Sequence, residues 1–356
     1  MRVHNFGAGP CTLPEEVLTD ARDEFLDFGG SGMSLVEMSH RSEAYEEVHQ
    51  GALSLTRSVS GAPSDFEILF VQGGATLQFS MIPMNLLNAG ERAGYVVSGS
   101  WGEKALSNAR HHGSVYVAWD GAGDGYTSMP DPGSVVVEEG SRYLHVTTNE
   151  TIGGIRMVEF PATDVALVAD MSSEYLARPV DWDRYDLIYG GVQKNLAPAG
   201  MAVVFVRRSV VENGNQDLGD YLRYGFHSSS DSLGNTPPMF PIWIMGKVLA
   251  RLDAAGGVEV LERESAQKAA LLYSAIDGSD GFYRNPVNIR DRSHMNVVFR
   301  LPSEELESRF VAESTAAGLI GLKGHRSVGG LRASLYAALT LESVHRLVEF
   351  MADFRT

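Results

Sequence analysis

Short apolar runs rich in β-branched residues alternate with stretches of helical periodicity through the first 210 positions, the pattern of βαβ units and a mainly parallel sheet. Seven such runs predict strands at 66–71, 94–98, 114–119, 143–147, 165–170, 186–189 and 201–207. Helices are expected between them at 42–58, 76–87 and 101–111. In the first, Tyr45, Val48, Ala52 and Leu55 recur at three- and four-residue spacing behind Ser42, a residue type that caps helix N-termini. An earlier helix opens near Pro14, whose missing N–H is harmless in a first turn. Residues 214–241 carry Gly, Ser, Asn and three prolines without periodicity and read as an irregular excursion. Helix returns at 242–255 and 258–276, followed by strand 295–301, helix 303–317, strand 331–335 and helix 341–354. The expected fold class is α/β. A large domain, 1–257 with an N-terminal arm, surrounds a mainly parallel seven-stranded sheet flanked by helices, and a smaller C-terminal α+β domain covers 258–356.

Composition narrows the function classes. A chain of 356 residues, 44% hydrophobic and 21% charged, is neither disordered, coiled coil nor collagen. It is long enough to bury roughly three quarters of its unfolded surface, so it needs no disulfide or metal to fold. The net charge of −16 argues against nucleic acid or an anionic membrane as partner, since both need a basic footprint. The single cysteine, Cys11, allows neither an intrachain disulfide nor a Cys-based zinc site, and the histidines show no metal-ligand spacing. No run approaches 18 uninterrupted apolar residues, and Met1-Arg2-Val3-His4-Asn5-Phe6-Gly7 lacks the apolar core of a signal peptide, so a cytoplasmic protein is expected. Only five lysines occur, Lys104, Lys194, Lys247, Lys268 and Lys323, so lysine chemistry has few candidates.

Three features could carry chemistry. Gln72-Gly73-Gly74-Ala75-Thr76 follows an apolar strand and opens a helix, where small residues let backbone N–H groups and the helix dipole meet an anion. An ordinary strand-to-helix turn is the plain alternative; a P-loop is excluded because no Gly-Lys-Ser/Thr follows. The glycines between Gly121 and Gly125 run into Tyr126-Thr127-Ser128 and not into a helix, so they are no dinucleotide site. The strand at 165–170 ends in Asp170, which either faces a cationic ring nitrogen in the crevice at the strand ends or caps the next turn at Ser172. The strand at 186–189 ends two glycines and two residues before Lys194. Lys104, Lys247 and Lys268 fall on expected amphipathic helices and Lys323 in a loop. A lysine in a desolvated crevice has a lowered pKa and can condense with an aldehyde; one in a solvated loop does neither. An anion turn, a carboxylate and an amine at strand ends together match the phosphate, ring nitrogen and aldehyde of pyridoxal phosphate.

Further motifs carry a resemblance. Asn5-Phe6-Gly7-Ala8-Gly9-Pro10, Met38-Ser39-His40-Arg41-Ser42, Gly73-Gly74-Ala75-Thr76-Leu77-Gln78-Phe79, Asn149-Glu150-Thr151-Ile152-Gly153-Gly154, Gln193-Lys194-Asn195, Asn235-Thr236-Pro237-Pro238, Lys323-Gly324-His325-Arg326 and Gly329-Gly330-Leu331-Arg332-Ala333-Ser334 span nearly the whole chain. In these the sequence resembles the phosphoserine aminotransferase family, class V of the fold-type I pyridoxal phosphate enzymes. The resemblance implies that Lys194 is the lysine joined to the cofactor aldehyde and Asp170 the partner of its ring nitrogen. It implies a phosphate turn at Ala75 and Thr76, an aromatic stacked on the ring at Trp101, and further cofactor contacts at Thr151 and Gln193. Asn235 and Thr236 would reach the phosphate of the neighbouring subunit's cofactor, which requires a homodimer. Arg332 would hold the α-carboxylate. His40 with Arg41, and His325 with Arg326 from the partner subunit, would hold the substrate phosphate or the glutamate side chain. Without the resemblance, Trp101 reads as a core or interface aromatic, Asn235 and Thr236 as helix caps, and each cation as a solvated surface residue.

The implied reaction is reversible transfer of the amino group of L-glutamate to 3-phosphohydroxypyruvate, giving O-phospho-L-serine and 2-oxoglutarate in serine biosynthesis. Some family members also serve 4-phosphohydroxythreonine formation in pyridoxine biosynthesis. A class V cysteine desulfurase would need a nucleophilic cysteine on a mobile loop, whereas Cys11 sits in the N-terminal arm and reads as a small buried hydrophobe. A non-catalytic relative would have no reason to keep the lysine, aspartate and arginines together.

Overall fold

The structure, a computed structural model, describes residues 2–355. Seven strands form one sheet: β1 (Phe66–Gln72), β2 (Arg92–Val97), β3 (Ser114–Asp120), β4 (Ser141–Thr147), β5 (Leu167–Asp170), β6 (Tyr185–Gly191) and β7 (Met201–Arg207). Their spatial order is β1-β7-β6-β5-β4-β2-β3, and every neighbouring pair is parallel except the two that β7 makes. The reversed β7 sets Met201 opposite Gln72 of β1 and Ala202 opposite Gly191 of β6. Its start therefore lies between the carboxyl ends of both neighbours.

The strands are apolar at nearly every position because both faces are covered. In β7, Val203 and Phe205 enter one core while Val204 and Val206 enter the other, the period-two alternation of a pleated strand. On one face lie α2 (Glu43–Ser60) and α5 (Met239–Ala254); on the other lie α3 (Gly74–Leu86) and α4 (Ser100–Ala109). Ser42 caps α2 by accepting the Tyr45 N–H at 3.4 Å, as its sequence position predicts. The shorter α1 (Glu15–Glu24) follows Pro14 and packs on α5.

The expected irregular stretch at 214–241 contains a short helix, Tyr224–Ser229, and α5 starts inside it at Met239, with Pro241 tolerated in its first turn. Gly256 and Gly257, both left-handed, break α5 from α6 (Gly257–Asp277). Helix α6 spans two cores: Val258 and Leu261 pack toward the sheet, Ala269, Leu272 and Ile276 against the C-terminal elements. Those elements are β8 (Asn296–Phe299), α7 (Glu304–Ala316), β9 (Leu331–Ser334) and α8 (Leu341–Arg355), with β8 and β9 antiparallel. One pairing has no signal in the sequence. His4–Asn5 lies parallel to Leu319–Ile320, and Phe6 is buried in the C-terminal core.

At the centre of that core Phe310 touches Tyr283, Phe299, Phe350 and Phe354 edge-on, with ring centroids 5.0–6.1 Å apart. Phe310→Ala is expected to lower unfolding free energy by about 3–5 kcal/mol, measured by urea titration of the apoenzyme. In the sheet, His145 stacks on Tyr95 at 4.9 Å, its Nε2 lies 2.9 Å from the Tyr189 hydroxyl, and burial lowers its pKa from 6.5 to about 3. The unfolded chain thus binds this proton first. The contribution of neutral His145 is present above pH 6.5 and lost as pH falls toward 3, at roughly 1.4 kcal/mol per pH unit. His145→Phe should flatten the stability profile in that window, read from denaturant midpoints at successive pH values; an unchanged slope contradicts the assignment.

Candidate active site

The carboxyl ends of β1, β5 and β6 and the start of β7 converge on one cavity of about 350 Å³, lined by Gly73, Gly74, Ala75, Thr76, Trp101, Asp170, Ser172, Gln193, Lys194, Ala199 and Gly200. Five of the expected cofactor residues beside Lys194 and Asp170 are Ala75, Thr76, Trp101, Thr151 and Gln193. Four of them line this cavity, and Thr151 bonds the lysine within it.

Each side chain arrives by a local cause. Gly73 adopts φ 89°, a conformation open to glycine, and turns β1 directly into α3. No side chain caps that helix, so its first N–H groups, at Gly74, Ala75 and Thr76, are unclaimed within the helix and point toward the cavity end of the sheet. Asp170 is the last residue of β5 and 5% exposed. Its Oδ1 accepts the Ser172 N–H at 2.9 Å, so the turn-capping role and the cavity position coexist. Lys194 follows β6 by a short turn and is 9% exposed. Its Nζ donates to Thr151 Oγ1 at 2.6 Å and lies 5.1 Å from the Trp101 ring. Burial pulls this amine below the ordinary lysine range, against the nearby carboxylates of Asp170 and Glu150, which favour the ammonium. The N-terminal arm closes one side, with Cys11 N–H donating to Gln193 O at 2.9 Å. Cys11 is no nucleophile: it packs beside Ala177, Met295 and Tyr336, and burial pushes its thiol up to about 12.

These groups fit pyridoxal phosphate. The uncapped helix end suits a phosphate, the buried carboxylate suits a protonated ring nitrogen, and the amine suits an aldehyde. Trp101 Nε1 is buried with no hydrogen-bond partner, as are Ser98 Oγ and Thr147 Oγ1 at the ends of β2 and β4. Of these, Trp101 stands on the cavity wall itself.

The expected substrate residues divide. Arg332 Nη1 donates to Thr151 O at 3.2 Å, which sets the guanidinium on the same residue whose hydroxyl holds Lys194. His325 shares a neighbouring cavity of about 180 Å³ with Arg332 of its own chain, together with Ile152 and Gly153. Burial and the cations Arg332, Lys104 and Arg326 hold its imidazole below the ordinary value. Arg326 is exposed on the same loop. His40, Arg41, Asn235 and Thr236 do not line either cavity of the single chain. His40 Nε2 is buried and unpartnered, Arg41 is exposed, and Thr236 O accepts from Gln72 Nε2 at 2.9 Å at the end of β1. Asn235 Nδ2 donates to Thr236 O at 3.3 Å and α5 has no side-chain cap, so among the described residues the capping alternative for these two residues is not what the structure contains.

Two site residues escaped the sequence reading. Lys104, assigned to an ordinary helix face, holds its Nζ 4.2 Å over the Trp101 ring; the i,i+3 spacing from Trp101 was the available signal. Glu150 is 1% exposed beside Lys194, and burial raises its pKa to about 7. It stood inside a quoted motif with no role attached. Lys268, by contrast, is buried for structural reasons, donating to Tyr336 O and Leu339 O at 3.0 Å each. Among the described residues no helix is long and apolar enough to cross a membrane, and no cluster of His, Cys, Asp and Glu could hold a metal.

The profile of the Aminotransferase class-V family matches residues 3–347. The phosphoserine aminotransferase of Bacillus subtilis strain 168 is 48% identical over 354 residues, covering 99% of this chain and 98% of the relative. The solved structure of phosphoserine aminotransferase from Bacillus circulans subsp. alkalophilus superposes with a TM-score of 0.97 at 46% identity, covering 99% and 98%. The pyridoxal phosphate-bound phosphoserine aminotransferase of Trichomonas vaginalis gives 0.94 at 33% identity, covering 99% and 100%. Fold, cavity and sequence agree, and the chain belongs to the class-V aminotransferase family, whose cofactor is pyridoxal phosphate.

Proposed function

We propose that this chain is a phosphoserine aminotransferase, moving the amino group of L-glutamate to 3-phosphohydroxypyruvate to give O-phospho-L-serine and 2-oxoglutarate. The observation that carries the reading is the buried Lys194 amine, held by Thr151 between Asp170 and Trp101. Relatives of that name, alike over nearly the full length, support the choice of substrates.

Bound pyridoxal phosphate would supply the electron sink for charge formed at the substrate Cα. Ala75, Thr76 and the N-terminus of α3 would hold its phosphate, Asp170 would keep its ring nitrogen protonated, Trp101 would cover its face, and Thr151 and Gln193 would complete the contacts. Lys194 anchors the aldehyde. Its neutral Nζ, freed when the substrate amine binds, would take the substrate Cα proton as general base. Burial favours that neutral form, while the Thr151 hydroxyl fixes the nitrogen in place. Arg332 pairs with the α-carboxylate in the planar bidentate geometry that suits guanidinium. Arg41 and Arg326 supply positive charge, and His40 and His325 hydrogen-bonding imidazoles, for the phosphate or the glutamate side chain. The chain acts as a cytoplasmic homodimer in which Asn235 and Thr236 extend to the neighbouring subunit's cofactor phosphate. In this reading residues 1–257 form the cofactor-holding domain and 258–356 the smaller one, with residues 4–6 packed on the latter.

Lys194→Ala should abolish both the visible absorbance of the lysine-bound cofactor and turnover; retention of the absorbance refutes the assignment. Arg332→Lys keeps the charge but not the fork, and should raise KM for glutamate and for the keto acid by roughly 10–100-fold. Initial-rate plots against both substrates should be parallel, the pattern of a ping-pong enzyme. Assays with the keto-acid precursors of phosphoserine and of 4-phosphohydroxythreonine then separate the two substrates.

A further inference from the structure

Glu150 has none of the roles assigned above, yet it is the most enclosed carboxylate near the lysine, at 1% exposure. Its two oxygens face two different backbone segments. Oε2 accepts the Trp101 N–H at 3.1 Å, and Oε1 accepts the Ile152 N–H at 3.3 Å. Its side chain lies so close to the turn before α4 that a Cβ on Gly99 would stand 2.6 Å from Glu150 Cγ. Between Glu150 and Ile152 sits Thr151, whose hydroxyl receives Lys194 Nζ and whose carbonyl receives Arg332 Nη1. One carboxylate thus ties the segment bearing the indole to the segment that touches both the amine and the guanidinium.

We propose that Glu150 is a positioning residue of the active site: its carboxylate joins the Trp101 turn to the Thr151 segment and so holds indole and hydroxyl on either side of Lys194. A structural brace alone would not need a charge. An amide offers one acceptor oxygen, whereas a carboxylate offers two to two N–H donors and makes charge-assisted bonds with both. The charged and titratable groups that face it are Lys194, Asp170, Arg332 and the Tyr126 hydroxyl. Of these, Lys194 and Arg332 favour the ionised carboxylate. Asp170 opposes it.

The proposal rests on Lys194 carrying the cofactor, and its test is separate from that one. In the holoenzyme, visible absorbance is titrated against pH, circular dichroism of the same band reports ring orientation, and dialysis gives cofactor affinity. Glu150→Gln keeps only one acceptor oxygen, so it should weaken the dichroism and also lower the pH midpoint by about one unit, because the lysine nitrogen loses an anion that favours its protonated form. Glu150→Ala should weaken the dichroism and the affinity several-fold. Glu150→Asp keeps the charge on a shorter stem, so its midpoint should stay near wild type while its dichroism weakens; it decides the matter if the glutamine variant does not fold. Wild-type midpoint, dichroism and affinity in the variants would overturn the proposal. So would losses that only track a fall in the global unfolding midpoint. A band that survives Lys194→Ala would overturn the functional reading instead.

Discussion

An amine removed from water can release its proton or find an anion, and Lys194 is poised between these outcomes. Burial favours release, while Asp170 and Glu150 favour retention. Neither effect would exist on a loop in solvent. The amine must therefore be carried to the end of a strand buried on both faces, and the carboxylates must reach it from other strand ends. The parallel run of β2 to β6 makes that possible, because parallel strands deliver their carboxyl ends to one edge. The reversed β7 contributes differently: its first residues come back to the same edge and close the floor between β1 and β6.

The site handles charge on two length scales. The molecule carries a net −16 but is proposed to bind two anionic substrates. At physiological salt the screening length is about 8 Å, so distant surface carboxylates are felt weakly beside Arg332, which shares a cavity with His325, and the nearby cations Lys104 and Arg326. With only five lysines in the chain, the placing of two of them, Lys104 and Lys194, against the same indole is the less expected for it.

What could be read from the sequence follows from what is local. β1, β4 and β7 were visible because they are apolar on both faces, and Asp170 and Lys194 were visible because each ends such a run. The reversal of β7 was not, since a strand looks alike in either direction and only its neighbours define it. The two-residue pairing of His4–Asn5 with Leu319–Ile320 is too short for any periodicity. Strand ends shifted by one or two residues where partners extended them: β2 begins at Arg92 and β6 runs on through Gly191, each by pairing across the sheet. Glu150 escaped notice because its meaning depends on a backbone N–H 49 positions earlier. Lys104 escaped because an amphipathic helix was explanation enough until the indole beneath it was located.

The N-terminal arm ties the two ends of the chain together. Residues 4 and 5 pair with residues 319 and 320, and Cys11 is bonded to the residue preceding the active lysine. Residues 4 and 5 therefore cannot pair until more than three hundred further residues have been made. The arm's contact beside the active lysine, through Cys11 and Gln193, needs only residues made long before that pairing can form.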